Sequence, residues 1–505
     1  MTDVNAVAGM TINLSLVSHT NVGKTSLVRT LLARDVGEVR DAAHVTDTAT
    51  GYVMLQADED TLMLWDTPGF GDTARLLRRL KQSGNPIGWF LTAVWDRFRE
   101  RALWSSQQAV RNVRDHADVI LYLVNAADDP ADAAYVAQEL EILAGVGKPV
   151  VLLLNQLGAP DGQGEEDVAR WQRHLEASGV VREALPLDAF ARCWVQEGTL
   201  LATVAPLLDS DRRPALARLS QAWQQQNIDR FDRSMRVLAE WLAAAAVDRE
   251  PVPERDWRDT VGDAIKAFRQ EEPGQAGRAM SKLAERLDAG TRASTERLIE
   301  MHGLSGRSTR EVLRRLRDDY ASSGPAKEGH AAVLGGLMSG AVGGLAADVA
   351  VGGLTLGGGM IVGGLLGALG AGGIARTYNM ARGDDGSAVR WSEPFLAGLV
   401  RSALLRYLAV AHFGRGRGDW EAGEHPALWH DAIEAVMQLR EAEIRAAWEL
   451  GRRASPQALT GRLAEVLREC ASELLIRFYP QGSAILSEAA PSERAPRLER
   501  NNRLP

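Results

Sequence analysis

The feature that most constrains the fold of this chain is the triplet Gly23, Lys24 and Thr25, which follows a short apolar run, TINLSLV, at residues 11–17. A strand, a turn and a helix with Gly-Lys-Thr at the turn form the context that a phosphate-binding loop requires. Backbone N–H groups of such a loop point inward, and the helix N-terminus favours an anion. The pattern asks for glycine at position 18, where this chain has Ser18. The sequence therefore predicts a phosphate loop that departs from the pattern at its first position.

Short strand-like runs alternate with helical stretches over residues 11–190. The runs are TINLSLV, GYVMLQA, TLMLWD, DVILYLVNA, KPVVLLLNQ and EALPLDA. Two of them, at 118–126 and 148–155, are apolar almost throughout, as are strands that are buried on both faces. Strands alternating with helices predict an α/β fold with a mostly parallel sheet and helices on both sides.

A second motif, LMLWDTPGFGD, ends its strand at Asp66 and continues to Gly69. An acid at a strand end can hold Mg²⁺ through water, and the Gly69 N–H can contact the γ-phosphate and sense its loss. In the phosphate loop, Lys24 would reach the β- and γ-phosphates, and the Thr25 hydroxyl would bind Mg²⁺. The two motifs together predict hydrolysis or sensing of a nucleoside triphosphate.

The stretch GEVRDAAHVTDTATG separates the two motifs and leaves room for a switch loop. It offers Thr46, Thr48 and Thr50 as candidate switch threonines, although an ordinary polar connection has the same composition. His19 and His44 could equally be ordinary loop residues.

The segment NVGKTSL, beginning at Asn21, together with DTPG, resembles the Era-like and TrmE-like branch of P-loop GTPases. The segments NPIGWFLTAVWDRF, LYLVNAADDPADA, LLLNQLG and LDAFARCW are similar to a group of bacterial GTPases with an uncharacterised C-terminal helical domain and a glycine-rich segment. The resemblance covers most of the chain. It implies a protein that binds GTP and hydrolyses it with Mg²⁺.

The resemblance also assigns roles to residues, with Thr46 as the switch threonine. The catalytic residues it implies are Lys24, Thr46 and Gly69, and the metal ligands are Thr25, Thr46 and Asp66. The nucleotide-binding residues it implies are Asn21, Val22, Gly23, Lys24, Thr25, Ser26, Asn155, Asp188 and Ala189.

Two departures from GTPase patterns bear on activity. Ras-like GTPases place a water-orienting glutamine after the glycine of the second motif, where this chain has Phe70; the Era-like branch also has a hydrophobic residue there. We expect intrinsic turnover to be slow or dependent on a partner. The guanine-reading motif Asn-Lys-x-Asp is degenerate: Asn155 is retained, but Gly158 replaces the carboxylate. The candidate replacements are Asp161, Glu165, Glu166 and Asp188, and an ATPase remains an alternative.

Long Ala-, Leu-, Arg- and Glu-rich patterns after about residue 196 predict amphipathic helices. The predicted organisation is a GTPase domain at 1–195 with a Trp-rich insert at about 73–117, a helical region at 196–330, a glycine-rich hairpin at 331–375, a helical region at 376–480 and a disordered tail at 481–505. The insert follows the second switch motif and contains Trp89, Trp95 and Trp104. One interpretation of the insert is an effector surface or an interfacial helix. The other is that its tryptophans pack against the C-terminal helices.

The segment from Ala331 to Ala375 holds 16 of the 49 glycines, and its only charged residue is Asp348. Small residues recur four apart, a spacing that lets helices approach closely. A bilayer crossing needs about 20 residues, so the segment is long enough for a membrane hairpin. Cations flank it on both sides, at Arg314, Arg315, Arg317, Lys327, Arg376 and Arg382. The alternatives are a buried soluble hairpin and a homo-oligomer interface, because glycine is only weakly apolar and Asp348 is costly in lipid.

Composition limits the partners and the compartment. The formal net charge of -8 argues against a general nucleic-acid binder, so no nucleic-acid partner is expected. Two cysteines fit a reducing cytoplasm, and the N-terminus lacks signal-peptide features. We therefore expect a GTPase at the cytoplasmic face of the inner membrane, with a nucleotide-gated scaffold of little turnover as the alternative.

Overall fold

Contacts divide the chain into two compact units. The computed structural model describes residues 9–33, 36, 48–80, 100–156, 163–175, 179–187, 193–252, 275–304, 378–383, 386–391, 393–413, 425–451 and 455–487. The first unit comprises residues 1–228, 412–424 and 478–505, and the second comprises 229–411 and 425–477. The first unit thus continues past the domain boundary predicted at residue 195 and also includes the C-terminal end of the chain.

The first unit contains a six-stranded sheet with flanking helices. Its elements are β1 (Thr11–Ser18), α1 (Lys24–Leu32), β2 (Thr50–Ala57), β3 (Asp60–Asp66), α2 (Thr73–Leu80), α3 (Arg101–Asp115), β4 (Val119–Asn125), α4 (Ala134–Ala144), β5 (Val150–Asn155), α5 (Gln163–Leu175), β6 (Val181–Pro186), α6 (Trp194–Val204), a 3₁₀ turn (Ala205–Leu207) and the start of α7 (Arg213–Val247). All six predicted strands are present.

The strand order of the sheet is β2-β3-β1-β4-β5-β6. Only β2 runs antiparallel, on the edge beside β3, and the other neighbours are parallel. The side chains of β5 are buried throughout, and those of β4 up to Val124, because helices cover both faces of the sheet. The predicted α/β fold with a mostly parallel sheet is confirmed.

The carboxyl ends of four parallel strands meet at one edge of the sheet. The register pairs Leu16 with Asp66 and Asn125 with Asn155, and β1 ends at Ser18 beside β4. Ligands of open α/β sheets bind outside the carboxyl ends of the strands. This edge therefore carries the phosphate loop and the acid of the second motif.

The helices that follow the second switch motif belong to the insert predicted at 73–117. In α3, Leu103, Val110 and Val113 join the hydrophobic core that contains Val17 and Phe70. Trp104 is half-buried in the same helix. Trp89 and Trp95 lie outside the described residues, so both interpretations of the insert remain predictions for its central part.

The end of the sheet that lies away from the phosphate loop is bonded to the start of α7 and to the residue just before it. Arg212 donates hydrogen bonds to the Thr11 carbonyl over 2.8 Å and to Asp118 Oδ2 over 2.9 Å. Arg218 Nε donates to Asp60 Oδ2 over 2.7 Å, at the turn that joins β2 to β3. These contacts hold α7 at the end of the sheet that is remote from the phosphate loop.

The second unit is mainly helical and contains a small sheet. Its elements are the remainder of α7, β7 (Arg249–Val252), α8 (Gln275–Met301), β8 (Tyr378–Gly383), β9 (Gly386–Trp391), α9 (Glu393–Ala411), α10 (His425–Leu439), α11 (Glu441–Gly451) and α12 (Pro456–Phe478). The strands form an antiparallel sheet in the order β7-β9-β8. The predicted helical character of this region is confirmed, and the small sheet is an addition that the sequence did not indicate, because strands of four to six residues are too short to show a clear period of two.

An arginine lies in the interior of the second unit. Arg406 of α9 is fully buried, and its guanidinium carbon lies 4.0 Å from the centre of the Trp241 ring. Its Nη1 donates to Ser294 Oγ over 2.7 Å and to Thr295 Oγ1 over 3.1 Å. Hydroxyls of α8 and an aromatic face thus compensate this buried cation.

The C-terminal tail starts later than predicted. A 3₁₀ turn at Pro480–Gly482 leads into a short helix, α13 (Ser483–Ser487). The Ile485 carbonyl accepts a hydrogen bond from Gln224 Nε2 over 2.9 Å, and Leu486 is buried. The prediction of disorder from residue 481 is therefore wrong for the first seven residues, because they have a packing partner in the first unit.

The membrane prediction concerns a part of the chain that is not described. None of the helices in the described ranges is both long and apolar enough to cross a membrane. The glycine-rich segment at 331–375 lies outside those ranges, so the hairpin stays a prediction.

Candidate nucleotide-binding site

The turn between β1 and α1 has the backbone of a phosphate loop. Asn21 and Gly23 have positive φ angles of 66° and 91°, and α1 begins at Lys24 directly after Gly23. A Cβ atom at Gly23 would lie 2.8 Å from Asn155 Nδ2, so both the backbone angle and the close approach require glycine. The loop thus leads into a helix N-terminus, where an anion is stabilised by free N–H groups and by the helix dipole.

The amide of Asn155 supports this loop from the end of β5. Asn155 is fully buried, and its Nδ2 donates a hydrogen bond to the Val22 carbonyl over 2.9 Å. The resemblance assigns Asn155 to the base, and the structure adds a contact that ties it to the phosphate loop. The residues that would surround a base, at 157–162 and 188–192, lie outside the described part, and they include Asp188 and Ala189.

The two predicted metal-site residues of the described chain are in direct contact. Thr25 Oγ1 donates a hydrogen bond to Asp66 Oδ2 over 2.7 Å. Asp66 Oδ1 is buried and has no hydrogen-bond partner in the described part of the chain. A hydroxyl beside a buried carboxylate oxygen without a partner is a donor set that fits Mg²⁺, which prefers oxygen ligands and retains water. Thr46, the third predicted ligand, lies outside the described residues.

Burial shifts both charged groups of the site toward their neutral forms. Burial lowers the pKa of Lys24, while the negative charges of Asp66 and Glu139 oppose this shift. Burial raises the pKa of Asp66, against the charge of Lys24 and the hydrogen bond from Thr25. A phosphate for Lys24 and a cation for Asp66 would each favour the charged form.

The glycine of the second motif lies against the phosphate loop. A Cβ atom at Gly69 would lie 3.0 Å from the Thr20 Cα, so the approach of the two backbones needs glycine. The next residue pairs with the loop: the Phe70 N–H donates to the Ser18 carbonyl over 2.9 Å, and the Thr20 N–H donates to the Phe70 carbonyl over 3.2 Å. The side chain of Phe70 is fully buried in the core. In this arrangement the residue at the water-orienting position is a core residue.

A buried carboxylate that no sequence motif indicated lies beside the phosphate loop. Glu139 of α4 is fully buried and accepts hydrogen bonds from Thr73 Oγ1 over 3.0 Å and from Tyr122 OH over 2.6 Å. It also pairs with His19 Nδ1 over 2.6 Å, and the Tyr135 ring lies 4.4 Å from the His19 ring. His19 is therefore part of a polar cluster rather than an ordinary loop residue.

A signal for this cluster was present in the sequence. Position 139 lies three residues after Val136 and four before Leu143, on the stripe of α4 that faces the core. A charged residue on an apolar stripe is rarely buried without partners. The spacing alone did not indicate which residues those partners would be.

The structure brings most of the predicted site residues together around one edge of the sheet. Those in the described ranges are Asn21, Val22, Gly23, Lys24, Thr25, Ser26, Asp66, Gly69 and Asn155. Lys24 and Ser26 are buried, as are Asp66 and Asn155. Thr46, Asp188 and Ala189 stay predictions.

The strand order, the phosphate loop and a family match define the class of the N-terminal part. Residues 13–156 match the family model described as "50S ribosome-binding GTPase". Residues 13–156 thus form a P-loop GTPase domain, and this match supports GTP binding. A second model, "Domain of unknown function (DUF3482)", matches residues 182–471, more than half of the chain. The protein belongs to this DUF3482 family.

Solved structures of Era are similar to this chain at low identity. A point variant of Aquifex aeolicus Era bound to GDP·AlF4⁻ shares 16% identity, covering 56% of this chain and 89% of its own, with a TM-score of 0.29. Era in complex with MgGDPNP and a segment of 16S ribosomal RNA shares 14% identity with the same coverage and a TM-score of 0.30. Scores this low support no conclusion about RNA, so the expected lack of a nucleic-acid partner stays a prediction. No curated protein matches the chain significantly.

Proposed function

We propose that this protein binds GTP with Mg²⁺ at the phosphate loop and hydrolyses the γ-phosphate. The observation that carries the proposal is the contact of Thr25 with Asp66 directly beside the buried Lys24. The pair brings a hydroxyl and a carboxylate to the end of the loop where the β- and γ-phosphates of a nucleotide would lie. The family match to a GTPase model supports guanine as the base.

Each residue has a distinct part in the proposed reaction. The ammonium of Lys24 binds the β- and γ-phosphate oxygens, and the Thr25 hydroxyl and Asp66 hold the metal, Asp66 through water. The bound Mg²⁺ supplies charge neutralisation for the phosphates. The Gly69 N–H contacts the γ-phosphate, and Thr46 is the proposed switch threonine.

We expect slow intrinsic hydrolysis. The Phe70 side chain is fully buried and its N–H is bonded to the Ser18 carbonyl, so it cannot orient water in this arrangement. Another group, from this chain or from a partner, must then position the attacking water. If intrinsic hydrolysis is negligible, the protein acts as a nucleotide-gated scaffold with little turnover.

ATP hydrolysis is the second candidate function. The observation that favours it is Gly158, at the position where GTPases of this class carry the guanine-reading carboxylate. A site that hydrogen-bonds a base edge rejects analogues that leave its buried groups unpaired, whereas a site without that carboxylate discriminates less.

We further propose that the nucleotide state is coupled to a membrane-associated helical region. The segment 331–375 is long enough for two crossings, and its flanking cations fit cytoplasmic ends. Fractionation of cells that express the full chain and a version without 331–375 tests this. We expect only the full chain to stay with membranes in carbonate. A full chain that is released by salt or carbonate would make the segment a packing or oligomerisation element.

Phosphate release tests the enzymatic proposal. The full chain should release phosphate from GTP in Mg²⁺, and release should stop when EDTA removes the metal. Saturable GTP binding without release would favour the scaffold, and release from ATP at equal efficiency would favour the ATPase.

A further inference from the structure

The cluster around Glu139 joins three separate parts of the GTPase domain. His19 belongs to the phosphate loop, Thr73 is the first residue of α2, and Tyr122 lies in β4. All three bond to the carboxylate of Glu139 over 2.6 to 3.0 Å. Thr73 Oγ1 and Tyr122 OH donate to this carboxyl group, and His19 Nδ1 is its third hydrogen-bond partner.

A position in the hydrophobic core does not require a carboxylate. Val136, Leu140 and Leu143 surround this face of α4 with buried apolar side chains. Burying a carboxylate is costly unless donors compensate for the lost hydration. Glu139 is compensated by its three hydrogen-bond partners, and two of them, His19 and Thr73, belong to segments at the candidate nucleotide-binding site.

The hydrogen bond between Glu139 and Thr73 affects the position of Gly69, because Thr73 lies only four residues after Gly69. Gly69 lies against Thr20, and Phe70 is bonded to the phosphate loop on both sides. The Thr73–Glu139 bond fixes the other end of this short segment. The Gly69 N–H is thus held between two anchors, and both anchors lead back to the phosphate loop.

We propose that Glu139 is a positioning residue for GTP hydrolysis: through Thr73 and His19 it holds the Gly69 turn at the phosphate loop, where the γ-phosphate binds. The inference rests on the proposed function. Glu139 does not touch the nucleotide, and its effect should be specific to states that contain a γ-phosphate.

Variants of the donors separate positioning from stability. Thr73→Val removes the link to α2 with little change in shape, and Thr73→Ser retains the hydroxyl. Tyr122→Phe is the matched control, because it removes a bond to the same carboxylate from a strand that carries no switch. Glu139→Gln tests the carboxylate itself, and its double variant with Thr73→Val tests the coupling.

Two measurements on the full chain are needed: phosphate release at saturating Mg²⁺·GTP, and the ratio of affinities for a non-hydrolysable GTP analogue and GDP. We expect Thr73→Val and Glu139→Gln to lower both the rate of phosphate release and the affinity ratio by about tenfold. This is the size of effect expected from one hydrogen bond that positions the γ-phosphate turn. GDP affinity should change less than about twofold in both, within the net contribution of a single weak contact. Thr73→Ser and Tyr122→Phe should behave as wild type, and the double variant should be no worse than Glu139→Gln.

Equal losses of phosphate release in Thr73→Val and Tyr122→Phe would overturn the inference. Additive losses of phosphate release in the double variant would also overturn it, as would a parallel fall in GDP affinity. The ratio of affinities can be measured even if phosphate release is slow. A wild-type chain that binds no guanine nucleotide would overturn the proposed function itself, which distinguishes the two failures.

Discussion

Thr25 Oγ1 lies 2.7 Å from Asp66 Oδ2, although 41 positions separate the two residues in the chain. The contact joins the first turn of α1 to the end of β3, and it exists because β1 and β3 are parallel neighbours whose carboxyl ends meet. The two motifs that together predict nucleoside-triphosphate chemistry are thus in direct contact.

The first prediction concerns Lys24. Lys24→Ala should lower GTP affinity by about 100-fold, since a charge-assisted contact to phosphate contributes roughly 1.5–3 kcal/mol. The fold should persist, because burial already disfavours the charged amine in the absence of ligand. Calorimetric titration with GTP measures the affinity, and Lys148→Ala, ahead of β5, is the matched control. Unchanged GTP affinity in folded Lys24→Ala would contradict the assignment.

The second prediction concerns the metal. Asp66→Ala should lower nucleotide affinity in Mg²⁺ more than in EDTA, because its carboxylate serves the cation rather than the phosphate. Fluorescent GDP titrated under both conditions measures the difference. An equal loss with and without Mg²⁺ would count against a metal role for Asp66.

The third prediction concerns the water-orienting position. Phe70→Gln should destabilise the protein by about 2–4 kcal/mol, because it buries an amide among apolar side chains, and it should not accelerate hydrolysis. Phe70→Leu should retain turnover with a smaller loss of stability. Urea unfolding and phosphate release test both variants. Faster hydrolysis by Phe70→Gln without loss of stability would show that residue 70 reaches the nucleotide.

The fourth prediction concerns pH and the contact of β3 with α7. Burial would raise the pKa of Asp60, but hydrogen bonds from Arg218 and the Met10 N–H outweigh it and hold the pKa below its usual value. A lowered folded-state pKa stabilises the protein above the unfolded pKa of about 3.9, and this contribution disappears as pH falls through the folded value.

The difference in urea midpoint between wild type and Asp60→Asn should therefore be full at pH 7 and shrink below about pH 4. Asp115→Asn is the comparison: the pKa of its exposed carboxyl is also lowered, by its neighbour Arg114, but solvent screens this ion pair, so the difference in urea midpoint should be smaller at every pH. A difference that grows on acidification would contradict the sign of the Asp60 shift.

Local motifs predicted the phosphate loop and the alternation of strands and helices because their residues are close in sequence or follow a regular period. The partners of Glu139 are 17, 66 and 120 positions away, so their contacts depend on the assembled sheet. The strands β7 and β9 are likewise short and distant in sequence, and no local pattern indicated their pairing. Resemblance assigned Asn155 to the base, whereas its contact with Val22 appears only in three dimensions.

Gly158 and Asp188, at the predicted base-reading site, lie outside the described residues. If another acid replaces the missing carboxylate, xanthosine triphosphate should bind worse than GTP, because xanthine carries an oxygen where guanine has an N–H donor. Tight binding of xanthosine triphosphate would argue against a guanine-reading acid.

Competition for labelled GDP on the full chain in Mg²⁺ tests the central claim most directly. We predict that GTP displaces the label at concentrations at least about 100-fold lower than ATP does, as expected for a site that hydrogen-bonds the guanine edge. Lys24→Ala should weaken displacement by either nucleotide. Equal displacement by GTP and ATP, or no saturable binding of labelled GDP, would contradict the assignment of this protein as a GTPase.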